Sequence, residues 1–263
     1  MDSALDDVAF LANSENRVSV FEALVDTPRS RDELLERVDA SRVTITRVLR
    51  ELEDRNWIEG TGQEYAVTPL GEWVCDEFTR LVGVMESETR LREPLQWFPS
   101  DLLTFDVQCL RDAELVRLDR SDATAVVRRI VEFHRSGERI RGVARVAAPV
   151  FIENQWELTV EGDTRLEMVL TPDVLGMVQD HPPSAQQLRE MLDEENVSLF
   201  VNDDVPISVG IVDGTVGINL TDERGALRGG LVTDDGTVRA WAVDLFETCR
   251  ENGRPVEPDA ITT

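Results

Sequence analysis

Apolar positions recur at helical spacing three times within the first fifty residues. In "NSENRVSVFEALVD", Val18, Phe21, Leu24 and Val25 share one face, with Asn13 or Ser14 placed to cap the helix. Thr27-Pro28 interrupts the chain. Ser30 then opens a second short helix, "SRDELLERV", with Glu33 three residues on as a capping box. Asp39-Ala40 is a tight connection, and Ser41 starts a third helix whose Ile45, Val48, Leu49 and Leu52 form a buried stripe. Trp57-Ile58-Glu59 and Tyr65-Ala66-Val67 read as strands flanking a Gly60-Thr61-Gly62 turn. A helix starts near Pro69 and carries Leu70, Trp73, Val74, Phe78, Leu81, Val82 and Met85. That face either packs on its own domain or pairs with a second copy. "REPLQWFPSDL", with two prolines, reads as a linker.

From about residue 100 strand and helix patterns alternate. "AELVRLD", "RIRGVARVAA", "RLEMVLT", "VSLFVND", "ISVGIVDGTVGINL" and "GALRGGLV" are strand-like. Helical stretches separate several of them: "DATAVVRRIVEFHRSG", "APVFIENQWELTVEG", "PDVLGMVQD" and "SAQQLREMLDEE". A last helix, "VRAWAVDLFETC", is expected to bury Trp241, Ala242, Leu245 and Phe246. Such alternation predicts an α/β domain with a partly parallel sheet. Asp213-Gly214 is a hairpin turn signal, and the acidic "LTDERG" and "VTDDG" turns read as hydrated surface rather than cation sites. In open α/β sheets ligands sit beyond the carboxyl ends of strands. Here those positions fall near Asp119-Arg120, Ala147-Ala148 and Thr171-Pro172, which also suit ordinary loops, so no ligand residue is assigned.

Composition changes the picture in three ways. No run of 18 apolar residues exists, and the acidic start "MDSALDDVAF" lacks a basic signal-peptide region, so a cytoplasmic protein off the membrane is expected. The net charge is −25, and all 27 basic residues are arginine. This acidic, lysine-free balance resembles the proteins of extreme halophiles, in which molar salt screens self-repulsion over a few ångströms, and it then says little about partners. Cys75, Cys109 and Cys249 are widely spaced and the two histidines, His134 and His181, do not cluster with them, which excludes a disulfide framework and a Cys/His zinc site. The thiols read as reduced and mostly buried, His134 as a helix-end residue favourable to the dipole, and His181 as a loop residue. No cofactor or metal is implied.

Against this acidic background, Ala40 to Arg50 contains no acid and three arginines. Opposite the apolar stripe of the third helix stand Arg42, Thr44, Thr46, Arg47 and Arg50. A helix, a short turn and a second helix bearing such donors make the helix-turn-helix plan, in which the second helix enters the major groove. Arginine pairs bidentately with guanine, and threonine offers a hydroxyl or a methyl. Candidate DNA-binding residues are therefore Ser30, Ser41, Arg42, Thr44, Thr46, Arg47 and Arg50, with Thr61 and Gln63 on the hairpin. The run resembles the winged-helix domain of prokaryotic transcription regulators over residues 8–80, and "YAVTPLG" matches the "Y-x-[LV]-T-x-x-G" signature that follows the wing in many of them. Winged helices also serve as protein-interaction modules, so a partner in the transcription machinery, bound without DNA readout, is the alternative.

A second resemblance lies in "VP…GIVDGTVG", "DERGALRG" and "VRAWAVDL". These are similar to the C-terminal effector domain of archaeal regulators named after a methanogenesis (filamentation) regulator, over about 110–255. More distantly, the region resembles the sensor domain of archaeal sugar-responsive TrmB-type regulators, which implies a phospholipase-D-like sheet. The catalytic H-x-K-x-x-x-x-D motif of phospholipase D is excluded, since the chain has no lysine. No phosphate loop, nucleophile elbow or zinc-protease motif appears either, so no enzyme is expected. The expected architecture is a two-domain α+β and α/β chain. Residues 1–90 form a winged helix-turn-helix with a following dimerisation or linker helix, and residues 100–256 form an α/β effector domain. Its expected partners are double-stranded DNA, a second copy of the chain and an unidentified small-molecule effector.

Overall fold

The computed structural model describes residues 2–117, 124–222, 224–258 and 261. It divides into two compact units, Met1–Ser87 and Glu88–Thr263.

The first unit contains α1 (Asp2–Ala12), α2 (Glu15–Val25), β1 (Arg29–Ser30), α3 (Arg31–Arg37), α4 (Arg42–Glu53), β2 (Ile58–Thr61), β3 (Glu64–Val67) and most of α5 (Pro69–Leu95). Ile45, Val48, Leu49 and Leu52 of α4 are buried against Val20, Phe21 and Leu24 of α2, as their spacing predicts, whereas Val18 is only partly buried. Ser30 makes the expected capping box with Glu33, and Ser41 caps α4 by accepting from the Thr44 amide. The acidic N-terminus, given no element by its pattern, is a helix. Leu11 enters the core, and the Phe10 ring lies between the guanidinium groups of Arg17 and Arg55, at 4.1 and 3.6 Å.

β1, β3 and β2 form a small antiparallel sheet, with Arg29 opposite Tyr65 and Thr61 opposite Glu64. The hairpin turn is Gly62-Gln63, with Gly62 at φ +69°, while Gly60 sits in β2 opposite Tyr65. The turn thus lies further along than the Gly60–Gly62 spacing suggests, because one positive-φ glycine suffices for a two-residue loop. The "YAVTPLG" signature has a physical basis at Trp57. Its ring stacks on Phe21, with centroids 5.6 Å apart. Its carbonyl accepts from the Thr68 amide at 2.9 Å, and the Thr68 hydroxyl accepts from the Gly71 amide at 3.0 Å, capping α5. A Cβ at Gly71 would stand 1.9 Å from that same carbonyl oxygen, so only glycine fits.

The second unit is built on an eight-stranded sheet. Its strands are β4 (Glu114–Arg117), β5 (Arg139–Ala144), β6 (Arg165–Leu170), β7 (Val197–Val201), β8 (Ser208–Val212), β9 (Thr215–Thr221), β10 (Leu227–Thr233) and β11 (Arg254–Pro255), in the order β11-β7-β6-β5-β8-β9-β10-β4. β5, β6 and β7 are parallel and the remaining pairings are antiparallel. α6 (Ala125–His134), α7 (Pro149–Thr159), α8 (Pro172–Gln179) and α9 (Pro182–Leu192) supply the core of one face, and α10 (Gly236–Glu251) packs on the other. Val238, Ala242, Phe246 and Cys249 are the buried line of α10; Trp241 and Leu245 are only partly buried, and Trp241 meets Phe98 and Phe105 edge-on or tilted. The segment expected as a linker is not one. α5 continues through Pro94, and Leu91 and Phe98 are 2% and 5% exposed in the core beneath α10. Asp213-Gly214 is the β8–β9 turn, both residues at positive φ, and the Asp213 carboxylate accepts from the Glu138 and Arg139 amides. Asp119-Arg120, Asp122, Ala123 and Glu223 lie outside the described residues.

Three glycines, Gly142, Gly210 and Gly217, pair directly across β5, β8 and β9. A Cβ at Gly142 would stand 2.3 Å from the Val209 carbonyl oxygen, whereas at Gly217 and Gly210 it would meet the Phe133 ring of α6 at 2.7 and 3.2 Å. The bare strands let Phe133 and His134 lie against the sheet. His134 is consequently not a cation at a helix end. Its ring is enclosed, its Nδ1 is bonded to the Gln155 amide nitrogen at 2.9 Å, and burial pushes its pKa down to about 4. His181 caps α9, its Nδ1 accepting from the Ser184 amide. The three cysteines are free thiols, Cys75 and Cys249 buried and Cys109 partly so, and burial raises the Cys75 thiol to about 11.

Two outcomes follow. Gly71→Ala should destabilise the first unit by more than about 3 kcal/mol, because backbone, not a flexible side chain, must move; an unchanged Tm would remove the role given to the Trp57 carbonyl. His134 is neutral when folded and titrates near its ordinary 6.5 when unfolded, so its contribution is complete above that value and is lost as pH falls toward 4. Between pH 7 and 5 denaturant unfolding should show a loss of about 2 kcal/mol that His134→Gln lacks; equal slopes for both chains would refute it.

Candidate nucleic-acid interface

α3, the Val38–Ser41 connection and α4 bring the expected residues onto one surface. Ser41, Arg42, Thr46, Arg47 and Arg50 are exposed and Thr44 partly so, while Thr61 and Gln63 are exposed on the hairpin. The side chains are more engaged than their spacing reveals. The Ser30 hydroxyl donates to the Glu33 carboxylate at 2.8 Å and accepts from the Glu33 amide, so it is committed to its cap. The backbone and side-chain hydrogen bonds from Ser30 hold the Glu33 carboxyl below its usual range. The Ser41 and Thr44 hydroxyls bond each other at 2.9 Å, and the Thr46 hydroxyl donates to the Arg42 carbonyl at 2.8 Å. Thr46 therefore retains a methyl group and an acceptor lone pair for a partner, and Thr44 a methyl group and whichever hydroxyl role Ser41 does not use.

The segment clear of acids in sequence is not clear of them in space. Arg42 pairs with Asp32 of α3 at 2.7 Å, and Arg47 approaches Glu51 one turn on at 3.9 Å. Arg42 and Asp32 remain 67% and 75% exposed, so the pair is worth about 0–1 kcal/mol and a phosphate or a guanine edge can displace the acid. Arg50 makes no ion pair among the described residues. Glu51 is held from the other side by Arg17 of α2 at 3.0 Å.

Two further residues belong to this surface. Val43 is 80% exposed, more than any other large apolar residue among those described, and lies beside Arg42 and Arg47. Its place off the buried stripe is visible in the helical period. Arg31, the first residue of α3, donates to the Tyr65 hydroxyl at 2.7 Å, and its Nε is buried without a partner. Only the β1–β3 pairing, which no local pattern announces, brings it to the base of the wing.

An α/β unit joined to a helix-turn-helix followed by a two-stranded wing defines the class, a two-unit protein of the winged-helix type. Residues 5–90 match the family model described as the HVO_A0261 N-terminal domain, and residues 123–252 match the middle domain of the methanogenesis regulatory protein FilR1. The chain thus joins these two domains, the first over its winged helix and the second over its α/β unit. No curated protein matches it. Among solved structures it is similar to the archaeal chromatin protein TrmBL2, at 17% identity over 90% of this chain and 92% of that one, with a TM-score of 0.43. Nuc from Salmonella typhimurium, a phospholipase D family member, aligns over 49% of this chain and 90% of its own at 15% identity, TM-score 0.39. A putative IclR-family transcriptional regulator from Rhodococcus sp. aligns over 95% and 96% at 14% identity, TM-score 0.21. No described helix is long and apolar enough to cross a membrane.

Proposed function

We propose that the chain is a sequence-specific, DNA-binding transcription regulator that acts as a homodimer in the cytoplasm of a salt-adapted organism, its α/β unit serving a regulatory, effector-sensing role. The carrying observation is the exposed face of α4, with Arg42, Val43, Thr46, Arg47 and Arg50 outward and no acid in its first turn. On this reading α4 enters the major groove. Arg42 and Arg47 exchange their carboxylate partners for guanine edges, and Val43 and the threonine methyls meet thymine methyls. Arg50 holds a phosphate, and Ser30 and Ser41 act by fixing the helix starts that face the backbone. Thr61 and Gln63 lie along the backbone or minor groove. In molar salt the release of counterions contributes little, so base contacts carry an unusually large share of the affinity.

The homodimer rests on the first unit's apolar surface. Leu70, Trp73, Leu81 and Met85 of α5 are 49%, 66%, 47% and 53% exposed, and Leu5 and Val8 of α1 are exposed beside them. A cavity of about 430 Å³ lies between α1 and α5, lined by Leu11, Trp57, Trp73, Phe78 and Leu81 among others. Apolar surface of this kind marks an interaction site, and a two-fold operator calls for a two-fold protein.

Arg47→Ala should abolish specific footprints, with a loss of about 1–3 kcal/mol per base contact, while leaving the dimer intact. Genome-wide occupancy of the tagged protein, compared with the Arg42→Ala/Arg47→Ala double variant, decides between DNA readout and recruitment. Discrete palindromic peaks that vanish in the variant support DNA readout. Peaks indifferent to it would mean that the wing unit binds a protein of the transcription machinery instead. Sedimentation should give a dimer that Trp73→Glu converts to a folded monomer; a monomeric wild type would overturn the proposed α5 interface.

A further inference from the structure

The acids around α3 and α4 are not equally held. The Glu33 carboxylate accepts from the Ser30 amide at 2.7 Å and from the Ser30 hydroxyl at 2.8 Å. Glu51 accepts from Arg17 at 3.0 Å, so it keeps a cation when Arg47 moves away. Asp32 differs. Its Oδ1 accepts from Arg42 Nη2 at 2.7 Å, and among the described residues its side chain has no other hydrogen bond or ion pair. It is 75% exposed, on the same surface as Arg42.

When Arg42 turns to a guanine edge, Asp32 is therefore left without a partner beside DNA phosphates. A charge facing like charges is disfavoured, and a hydrogen-bond donor is what offsets it. The major groove offers two kinds of donor, the N4 amino group of cytosine and the N6 amino group of adenine. A guanine lies opposite a cytosine, whose N4 is joined to guanine O6 by a hydrogen bond of about 2.9 Å. Arg42 Nη2 and Asp32 Oδ1 are 2.7 Å apart, nearly the same separation. Guanidinium and carboxylate thus offer two donors and then an acceptor, where a G·C edge offers two acceptors and then a donor. An A·T edge sets a donor against the second N–H and an acceptor against the carboxylate, and so fails at both.

We infer that Asp32 is a specificity-determining residue, which accepts from the N4 amino group of the cytosine paired with the guanine that Arg42 takes. The two side chains leave each other and meet one base pair together. Asp32 belongs to α3, so base identity is read from outside the recognition helix as well as from α4. The inference rests on the DNA-binding reading proposed above.

The unaltered full-length chain and its Arg42→Ala variant are each used to recover bound duplexes from a pool of randomised sequence, which are then sequenced. The base pair whose guanine preference disappears in Arg42→Ala marks the position. The recovered duplex is then made with N4-methylcytosine there, which keeps the Watson–Crick hydrogen and replaces the one facing the major groove. Methylation should weaken binding by the unaltered chain at least about fivefold and by Asp32→Ala less than about twofold. Equal weakening of both, or none in the unaltered chain, would refute the role of Asp32 and leave DNA readout standing. So would a recovered motif in which Arg42→Ala changes no guanine preference. An unaltered chain that enriches no sequence would instead overturn the DNA-binding reading, and the role of Asp32 with it. At 75% exposure Asp32 carries no packing, and should Asp32→Ala nonetheless not fold, the response of the unaltered chain to methylation decides the matter.

Discussion

The Trp57 carbonyl is the point on which the first unit turns. Its residue's ring is stacked in the core on Phe21, its oxygen receives the Thr68 amide, and Gly71 passes so close that no side chain fits. Core, wing and α5 are thereby fixed relative to one another at a single peptide group. Close-packed backbone has no soft way to adjust, so the direction of α4 relative to α5 is set by packing rather than by loop flexibility. For a dimer formed through α5, that rigidity would translate into a fixed separation of the two α4 helices, which is the geometric quantity a pair of half-sites must match.

Charge acts as a second constraint, and its resolution is local. A chain of net charge −25 would repel a phosphate backbone at low ionic strength. At about 1 M salt the screening length is about 3 Å, so only groups in direct contact with DNA matter. The relevant question becomes which acids pair with the arginines of α4. Asp32 of α3 lies 2.7 Å from Arg42, and Glu51, one turn on in α4, lies 3.9 Å from Arg47. The pairing leaves both arginines weakly held, as the proposed exchange of partners on binding would require.

Helices with a strong two-sided pattern were legible: the α4 stripe, the α3 capping box and the α10 face follow from spacing and cap chemistry alone. The partly parallel character of the sheet was legible too, and of the site, every candidate on α4 and the wing faces solvent. The misreadings share a physical cause, which is tertiary contact that local pattern does not encode. α1 carries Leu5, Val8 and Leu11 at helical spacing behind an acidic start that drew attention to its charge, and its Phe10 lies against two distant arginines. Pro94 lies in the last turn of α5, where a proline signals a break, yet Leu91 and Phe98 on either side are core residues. His134 has the position of a dipole-stabilised cation, but glycines on β8 and β9 draw it against the sheet. Arg42 reads as unopposed because Asp32 is ten residues away.

The glycines and the Gln155 amide, whose Oε1 is buried without a partner, belong to one argument. Bare positions at Gly210 and Gly217 let α6 approach the sheet closely, which brings His134 within reach of Gln155 on α7. A leucine at 155 would fill similar space without any polar demand, and leaving the acceptor unsatisfied disfavours the fold by about 1–3 kcal/mol out of a total of roughly 5–15.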